Sequence, residues 1–285
     1  QTSTFQAYAV ALAGKGEDKF TAYDYCHERH LSDFERTMSE IGTKAGVDAV
    51  AQLNSVSLPK SGKLPLVLKP SVASGLLLGA AAQAVSAKAM LMQRGYFGMA
   101  DVGRKVFGDN ITLRDDRTIA RSVGTPMMFE DGIAGKEQET FIENGVLRTL
   151  QAGLKTSRKL GLDVGVGRPN FYNLHLEAGN QSKDDLVAGV KDGVYITNVM
   201  NGTKNPITGD VSLPANGFVI RDGKITDEYL ADIGIAGNVL DVLNNNVPEN
   251  TDDAVIITTR NAIVDRYNQQ ELDMLMSEEH VYQAK

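Results

Sequence analysis

Two dipeptides do most to restrict how this 285-residue chain can fold: Asn144-Gly145 and Asp222-Gly223. Each joins two short runs rich in apolar and β-branched residues. Thr140-Phe141-Ile142-Glu143 leads into Val146-Leu147-Arg148-Thr149, and Phe218-Val219-Ile220-Arg221 leads into Lys224-Ile225-Thr226. A two-residue hairpin turn needs positive φ at both central positions, which glycine adopts freely and Asn or Asp tolerates. Both sites therefore predict tight antiparallel hairpins. Gly193 to Thr197 reads as another strand. Residues 4–13 and 19–30 read as two more, joined by Gly14-Lys15-Gly16-Glu17-Asp18, with Phe20-Thr21-Ala22-Tyr23-Asp24-Tyr25 close to the two-residue period of a half-buried strand.

Helical signals are set among these strands. Ser32-Asp33-Phe34-Glu35 has capping-box spacing, and Phe34, Met38, Ile41 and Ala45 follow at helical intervals, which predicts a helix to about Leu53 with a break at Gly46. After a turn at Pro59 to Lys63, Leu64 to Leu68 is a short strand, and Pro65 assigns its start to a sheet edge. Ser71 to about Arg94 is alanine-rich and reads as one buried helix, in which Gly75 and Gly79 allow close approach of another backbone. Gly95 to Asn110 reads as loop, and the pattern beyond Ile111 as mostly β. Ser182-Lys183-Asp184-Asp185 starts a short helix with carboxylates at its positive end. From about Val255 a strand is expected, followed by a helix with Ile263, Tyr267, Leu272, Leu275 and Met276 on one side. The sum is an α+β fold, mostly antiparallel β-sheet with packed helices, over residues 1–250, with a tail at 251–285.

Charge and cysteine content narrow the class. Asp and Glu number 36 against 29 Lys and Arg, a net charge of −7, which disfavours broad binding to nucleic acid or anionic membrane. Cys26 is the sole cysteine, so no intrachain disulfide forms, as fits a reducing compartment. The longest apolar stretch, Val72 to Met92, is interrupted by Ser74, Gln83, Ser86 and Lys88 and is not a membrane span. A cytoplasmic location is expected. The chain opens at Gln1 rather than Met, as a processed or partial chain does.

Reactive side chains are sparse. His27, His30, His175 and His280 include no pair spaced i, i+4, so the H-E-x-x-H zinc signature is absent. The densest cluster is Cys26, His27, Glu28 and His30. A thiol beside an imidazole can act as a nucleophile, but strand neighbours point to opposite faces, which favours a structural thiol beside surface polar residues. His175 alternates within Asn173-Leu174-His175-Leu176-Glu177 as a strand residue. Gly161 to Gly167 opens no helix and so is a poor phosphate cradle. The pairs Asp115-Asp116, Asp184-Asp185 and Asp252-Asp253 read as solvated carboxylates in turns or helix starts. No catalytic set emerges from these residues alone.

Six segments in one order resemble a known family: Gly124-Thr125-Pro126, Phe141-Ile142-Glu143-Asn144-Gly145-Val146-Leu147, Thr156-Ser157-Arg158-Lys159-Leu160-Gly161, Ile207-Thr208-Gly209-Asp210, Gly217-Phe218 and Ile235-Ala236-Gly237-Asn238. The order is similar to that of the C-terminal domain of the TldD/PmbA family, the modulators of DNA gyrase, over most of residues 1–245. The resemblance implies an N-terminal domain ahead of Gln1 that this sequence lacks, and the tail departs from the family's usual ending. Active members carry H-E-x-x-x-H at a helix start after a short strand, which gives two zinc ligands and a general base. The corresponding stretch here is Lys69-Pro70-Ser71-Val72-Ala73-Ser74, with Lys69 and Ser74 at the ligand positions and Pro70 at that of the glutamate. The resemblance therefore implies the PmbA (TldE) branch, with no metal, cofactor or catalytic residue of its own.

Three functions are consistent with these features. The first is a non-catalytic, metal-free subunit of a TldD/PmbA-type metallopeptidase assembly, partnered by a metal-bearing TldD-like subunit and handling unfolded peptides along exposed strand edges. The second is a stand-alone homo-oligomeric scaffold or binding protein that has lost proteolysis. The third, an independent hydrolase using Cys26, is the weakest. Oligomerisation is expected through the segment after Ile207 and the C-terminal helix.

Overall fold

A computed structural model describes residues 4–16, 18–34, 38–58, 62–124, 129–130, 133–134, 137–162, 170–244 and 256–258. The chain begins with a long hairpin, β1 (Phe5–Lys15) and β2 (Asp18–Glu28), backed by α1 (Met38–Ala51). Next come β3 (Gly62–Lys63), β4 (Leu66–Leu68), α2 (Pro70–Ala73), α3 (Gly79–Ala84) and α4 (Ala87–Leu91). A further stretch supplies β5 (Leu113–Asp116), β6 (Phe129–Glu130), β7 (Ile133–Ala134), β8 (Gln138–Glu143), β9 (Val146–Leu147), α5 (Leu154–Leu160) and β10 (Leu174–Leu176). The remainder gives α6 (Lys183–Ala188), β11 (Asp192–Val199), β12 (Thr203–Lys204), β13 (Asp210–Arg221), β14 (Lys224–Asn238), α7 (Val239–Asn244) and β15 (Ile256–Thr258).

The largest sheet has the order β3-β15-β14-β13-β11-β4, with β12 also on β13, and a second runs β10-β5-β8-β9. Among the described strands only β4 and β11 pair in parallel, so the fold is α+β with mostly antiparallel sheets. Both predicted turns form. Asn144 and Gly145 have φ of 48° and 77°, and Asp222 and Gly223 have 46° and 72°, the doubly positive pattern of the tight hairpin. Gly145 is fixed twice over, because a Cβ there would lie 2.2 Å from the carbonyl oxygen of Phe107.

Two apolar cores result. Phe107, Leu113, Phe141, Ile142 and Leu147 from the second sheet and its approach pack with Ala80, Ala81, Ala84 and Val85. Val194, Ile196, Leu213, Leu230, Ile233 and Ile235 from the large sheet pack with Val72 and Leu76. A smaller cluster of Val67, Val187 and Ile220 lies where α6 meets β4. The Ser182 hydroxyl accepts from the Asp185 backbone N–H at 3.1 Å, and the Asp185 carboxylate accepts from the Ser182 N–H at 2.9 Å, so α6 starts as its sequence predicts.

Several elements differ from the sequence reading. The Ser32 segment forms a short 3₁₀ turn at Leu31–Asp33, and α1 begins at Met38. The Ser32 hydroxyl, expected as the cap, instead accepts from the Arg121 guanidinium at 2.6 Å across 89 residues, and Asp33 Oδ2 accepts from the same group at 2.8 Å. Glu35, the other half of that spacing, lies outside the described residues. Gly46 does not break α1; a glycine weakens a helix, but packing of Ile41, Ala45 and Ala49 on the hairpin holds it. The strand expected from Leu64 begins at Leu66, and the predicted loop at 95–110 contains a 3₁₀ turn at Met99–Asp101. The single helix expected from Ser71 is divided: a π-turn at Ser74–Leu78 separates α2 from α3, and the chain breaks again at Val85-Ser86, where the Ser86 hydroxyl caps α4. Gly75 and Gly79 face open space, with nothing within 4 Å of a Cβ, so their role is not close backbone approach. A strand does occur at 256–258, paired with β14 and β3. The helix expected after it, with His280 and the Asp252-Asp253 pair, lies outside the described residues.

Candidate functional site

The junction of β4 and α2 is built by the parallel pairing of β4 with β11. The Lys69 N–H donates to the Ile196 carbonyl at 2.9 Å, and the Val194 N–H donates to Pro65 at 3.0 Å. Parallel strands bond through alternate residues, so Pro65, Val67 and Lys69 turn their peptide groups to β11 and Leu66 and Leu68 turn theirs outward. β4 is thus an edge strand of the large sheet, as Pro65 suggested. Lys69 then caps α2 with its carbonyl, which accepts from Val72 and Ala73 at 2.9 and 3.0 Å, and Pro70 takes the first helical position, where no N–H is needed. Val72 and Leu76 point into the large-sheet core while Pro70, Ser71, Ser74 and Gly75 are exposed and Lys69 is half-buried. Lys69, Pro70 and Ser74 therefore lie at an open helix start.

These residues do not fit a zinc ion. A protonated lysine has donors and no lone pair to offer, proline has no side-chain base, and a neutral serine hydroxyl is a poor ligand beside imidazole or thiolate. Among the described residues, no group of three or more His, Cys, Asp or Glu side chains could hold a metal. What the junction offers is an ammonium donor next to a strand that, among the described residues, lies at the edge of the large sheet.

The Cys26 cluster is spread apart. Cys26 lies opposite Ala7 on the α1 side of the hairpin, with its Sγ 3.9 Å from Glu28 Oε1. His27 lies opposite Gln6 on the outer side, and His30 sits beyond the end of β2 in a bend, so no strand face relates it to His27. His175 Nδ1 is 2.9 Å from the Asn173 carbonyl, and its strand pairs with β5. Gly161, with φ of 66°, ends α5 rather than opening a phosphate loop.

Asp115 corrects the reading of Asp115-Asp116 as solvated carboxylates in a turn, since both belong to β5 and Asp115 is 3% exposed. Its Oδ1 accepts from the Tyr172 and Asn173 backbone N–H groups at 3.1 and 2.6 Å, and its Oδ2 lies 3.5 Å from Arg117 Nε. The guanidinium sits 4.3 Å from the centroid of the Tyr172 ring. Backbone donors supplied 57 and 58 residues away make this carboxylate tolerable in the interior; its one sequence signal was the alternation of Leu113 and Asp115 on one strand face. Asp116, by contrast, is held ionised by bonds from Thr118 first and then Gln138, and its carboxyl titrates below the usual range.

The model of the PmbA/TldA metallopeptidase C-terminal domain matches residues 61–266. The chain belongs to the PmbA/TldD family. A metalloprotease of Archaeoglobus fulgidus is 28% identical over 247 residues, covering 83% of this chain and 57% of its own length. Metalloprotease PmbA of Escherichia coli O157:H7 is 25% identical over 274 residues, covering 95% and 56%. A crystal structure from Bacteroides thetaiotaomicron, named as a modulator of DNA gyrase, aligns with a TM-score of 0.75 at 25% identity, over 90% of this chain and 59% of that one. TldE from Thermococcus kodakarensis shares the fold, with a TM-score of 0.68 at 21% identity, over 88% and 60%. This PmbA/TldD chain thus spans little more than half the length of these relatives. Among its described residues, no helix is long and apolar enough to cross a membrane.

Proposed function

We propose that this chain is the metal-free, non-catalytic member of a PmbA/TldD-type metallopeptidase assembly, and that it holds an unfolded peptide for a metal-bearing subunit of the same family. The observation that carries this reading is the donor set at the β4–α2 junction, where Lys69, Pro70 and Ser74 occupy a helix start after an edge strand. An extended peptide laid along β4 would meet the outward peptide groups of Leu66 and Leu68, a mode that binds backbone with little sequence preference. The Lys69 ammonium at the end of that edge suits a peptide carbonyl or carboxylate.

The test is reconstitution. The purified chain is expected to retain no stoichiometric zinc after exposure to the metal and to leave unfolded polypeptides intact. Mixed with a metal-bearing family member, it is expected to form a stable complex that cleaves them, and Leu66→Pro, which alters the β4 edge, is expected to raise KM more than it lowers kcat. One zinc per isolated chain, or cleavage by the isolated chain, overturns the proposal.

A further inference from the structure

We propose that the outer face of the β1–β2 hairpin is a self-association surface, on which a second copy of this chain seats its own hairpin face to face. The strands carry a continuous set of large side chains on the face turned away from the helix. The positions facing α1 are mostly alanine, Ala7, Ala9, Ala11 and Ala22 beside Phe20, whereas the outward positions hold Tyr8, Val10, Leu12, Tyr23 and Tyr25. These five are between 51% and 62% exposed, and they form one block, since Tyr8 pairs with Tyr25 and Val10 with Tyr23. The Tyr8 and Tyr23 rings are 6.0 Å apart, so the row is already continuous. Bulky apolar side chains gathered on one side of a ribbon mark a surface that functions covered.

Charge and size identify the cover. The chain has an excess of seven negative charges, so two copies repel except where carboxylates are absent. The outward positions from Gln6 to Leu12 and from Lys19 to His27 carry none, while Asp24 and Glu28 are on the other side of the ribbon. A nucleic acid or anionic membrane would need a row of cations where the face offers Lys19 alone. A neutral aromatic strip about 35 Å long is matched by another of the same length and character, which a second copy supplies. Its five large side chains present roughly 500 Å², and the flanking Gln6, Thr21 and His27 bring each half toward the roughly 800 Å² per partner of a stable interface. This dimer is independent of the peptide edge on β4, which belongs to a different sheet.

The experiment is sedimentation of the purified chain across micromolar concentrations. The wild type is expected to dimerise, Val10→Glu to be a monomer with an unchanged melting temperature, and Val47→Glu, on the exposed side of α1, to remain a dimer. A second measurement guards against misfolding of Val10→Glu: in a Cys26→Ser background, Val10→Cys near the centre of a two-fold face is expected to form a disulfide with its own copy under mild oxidation. A wild type that stays monomeric, a dimer that Val10→Glu leaves intact, or a Val10→Cys chain that does not cross-link overturns the assignment.

Discussion

The hairpin–helix unit of residues 5–54 and the body formed by residues 62–244 both set a sheet against helices, but they fill the space between in opposite ways. In the body the large side chains are inside: Phe107, Leu113, Ile142 and Leu147 are essentially inaccessible, and Phe97 and Phe141 add edge-to-face ring contacts with Phe107 and Phe171. In the hairpin unit the fully buried interior is Ala7, Ala22, Ala45 and Ala49 around one larger residue, Ile41, with Phe20 half-buried on the same side, while Tyr8, Tyr23 and Tyr25 face outward. Burying a methyl group stabilises far less than burying a ring. The body can therefore stand on its own core, whereas the unit leans on long-range ties: Arg121 to Asp33, and the Val56 N–H to the Tyr229 carbonyl at 2.8 Å.

The sharpest way to test this contrast is Phe107→Ala, which removes a fully buried ring and is expected to cost about 3–5 kcal/mol, read as a fall in the urea midpoint of the whole body. Ile41→Ala should cost the hairpin unit about 2–4 kcal/mol, and hydrogen exchange should show protection lost over residues 5–54 but kept in β13 and β14. Equal loss in both regions would break the comparison. Tyr229 reports on their junction. Burial, and secondarily the Asp48 carboxylate on α1, push its phenol from 10.0 up to about 12. The folded state thus favours the neutral form, so this contribution is intact below pH 10 and is lost as pH rises from there through about 12. Alkaline melts should show that loss in the wild type, less of it in Asp48→Asn, and none from this group in Tyr229→Phe. The smallest effect is expected for Cys26→Ser, within roughly 0.5 kcal/mol and with the activity of a reconstituted complex unchanged; loss of activity in a folded variant would restore the thiol as a nucleophile.

Features set by neighbouring residues were legible before the structure. Asn144-Gly145 and Asp222-Gly223 formed their turns, Ser182 capped its helix, and Pro65 marked an edge, because each outcome is decided within a few residues. What failed depended on distant partners. Ser32 is held by Arg121, 89 positions away, rather than capping a helix, and Asp115 is buried because Tyr172 and Asn173 donate to it. The division of the 71–94 helix arises because it meets two different cores. At the candidate site, the residue types at Lys69, Pro70 and Ser74 were readable at once; the outward peptide groups of β4 appeared only when its pairing with β11 was known.

The π-turn at Ser74–Leu78 has a consequence for how much of this helix start is free to vary. By resetting the helical phase it lets one rod be gripped at two places, with Val72 and Leu76 held by the large sheet and Ala80, Ala81 and Ala84 held by the other core. The anchoring is done entirely from behind. The row in front, Pro70, Ser71, Ser74 and Gly75, is exposed and belongs to neither core. Substitution of those exposed side chains therefore changes what the helix start presents to solvent while both grips on the rod remain.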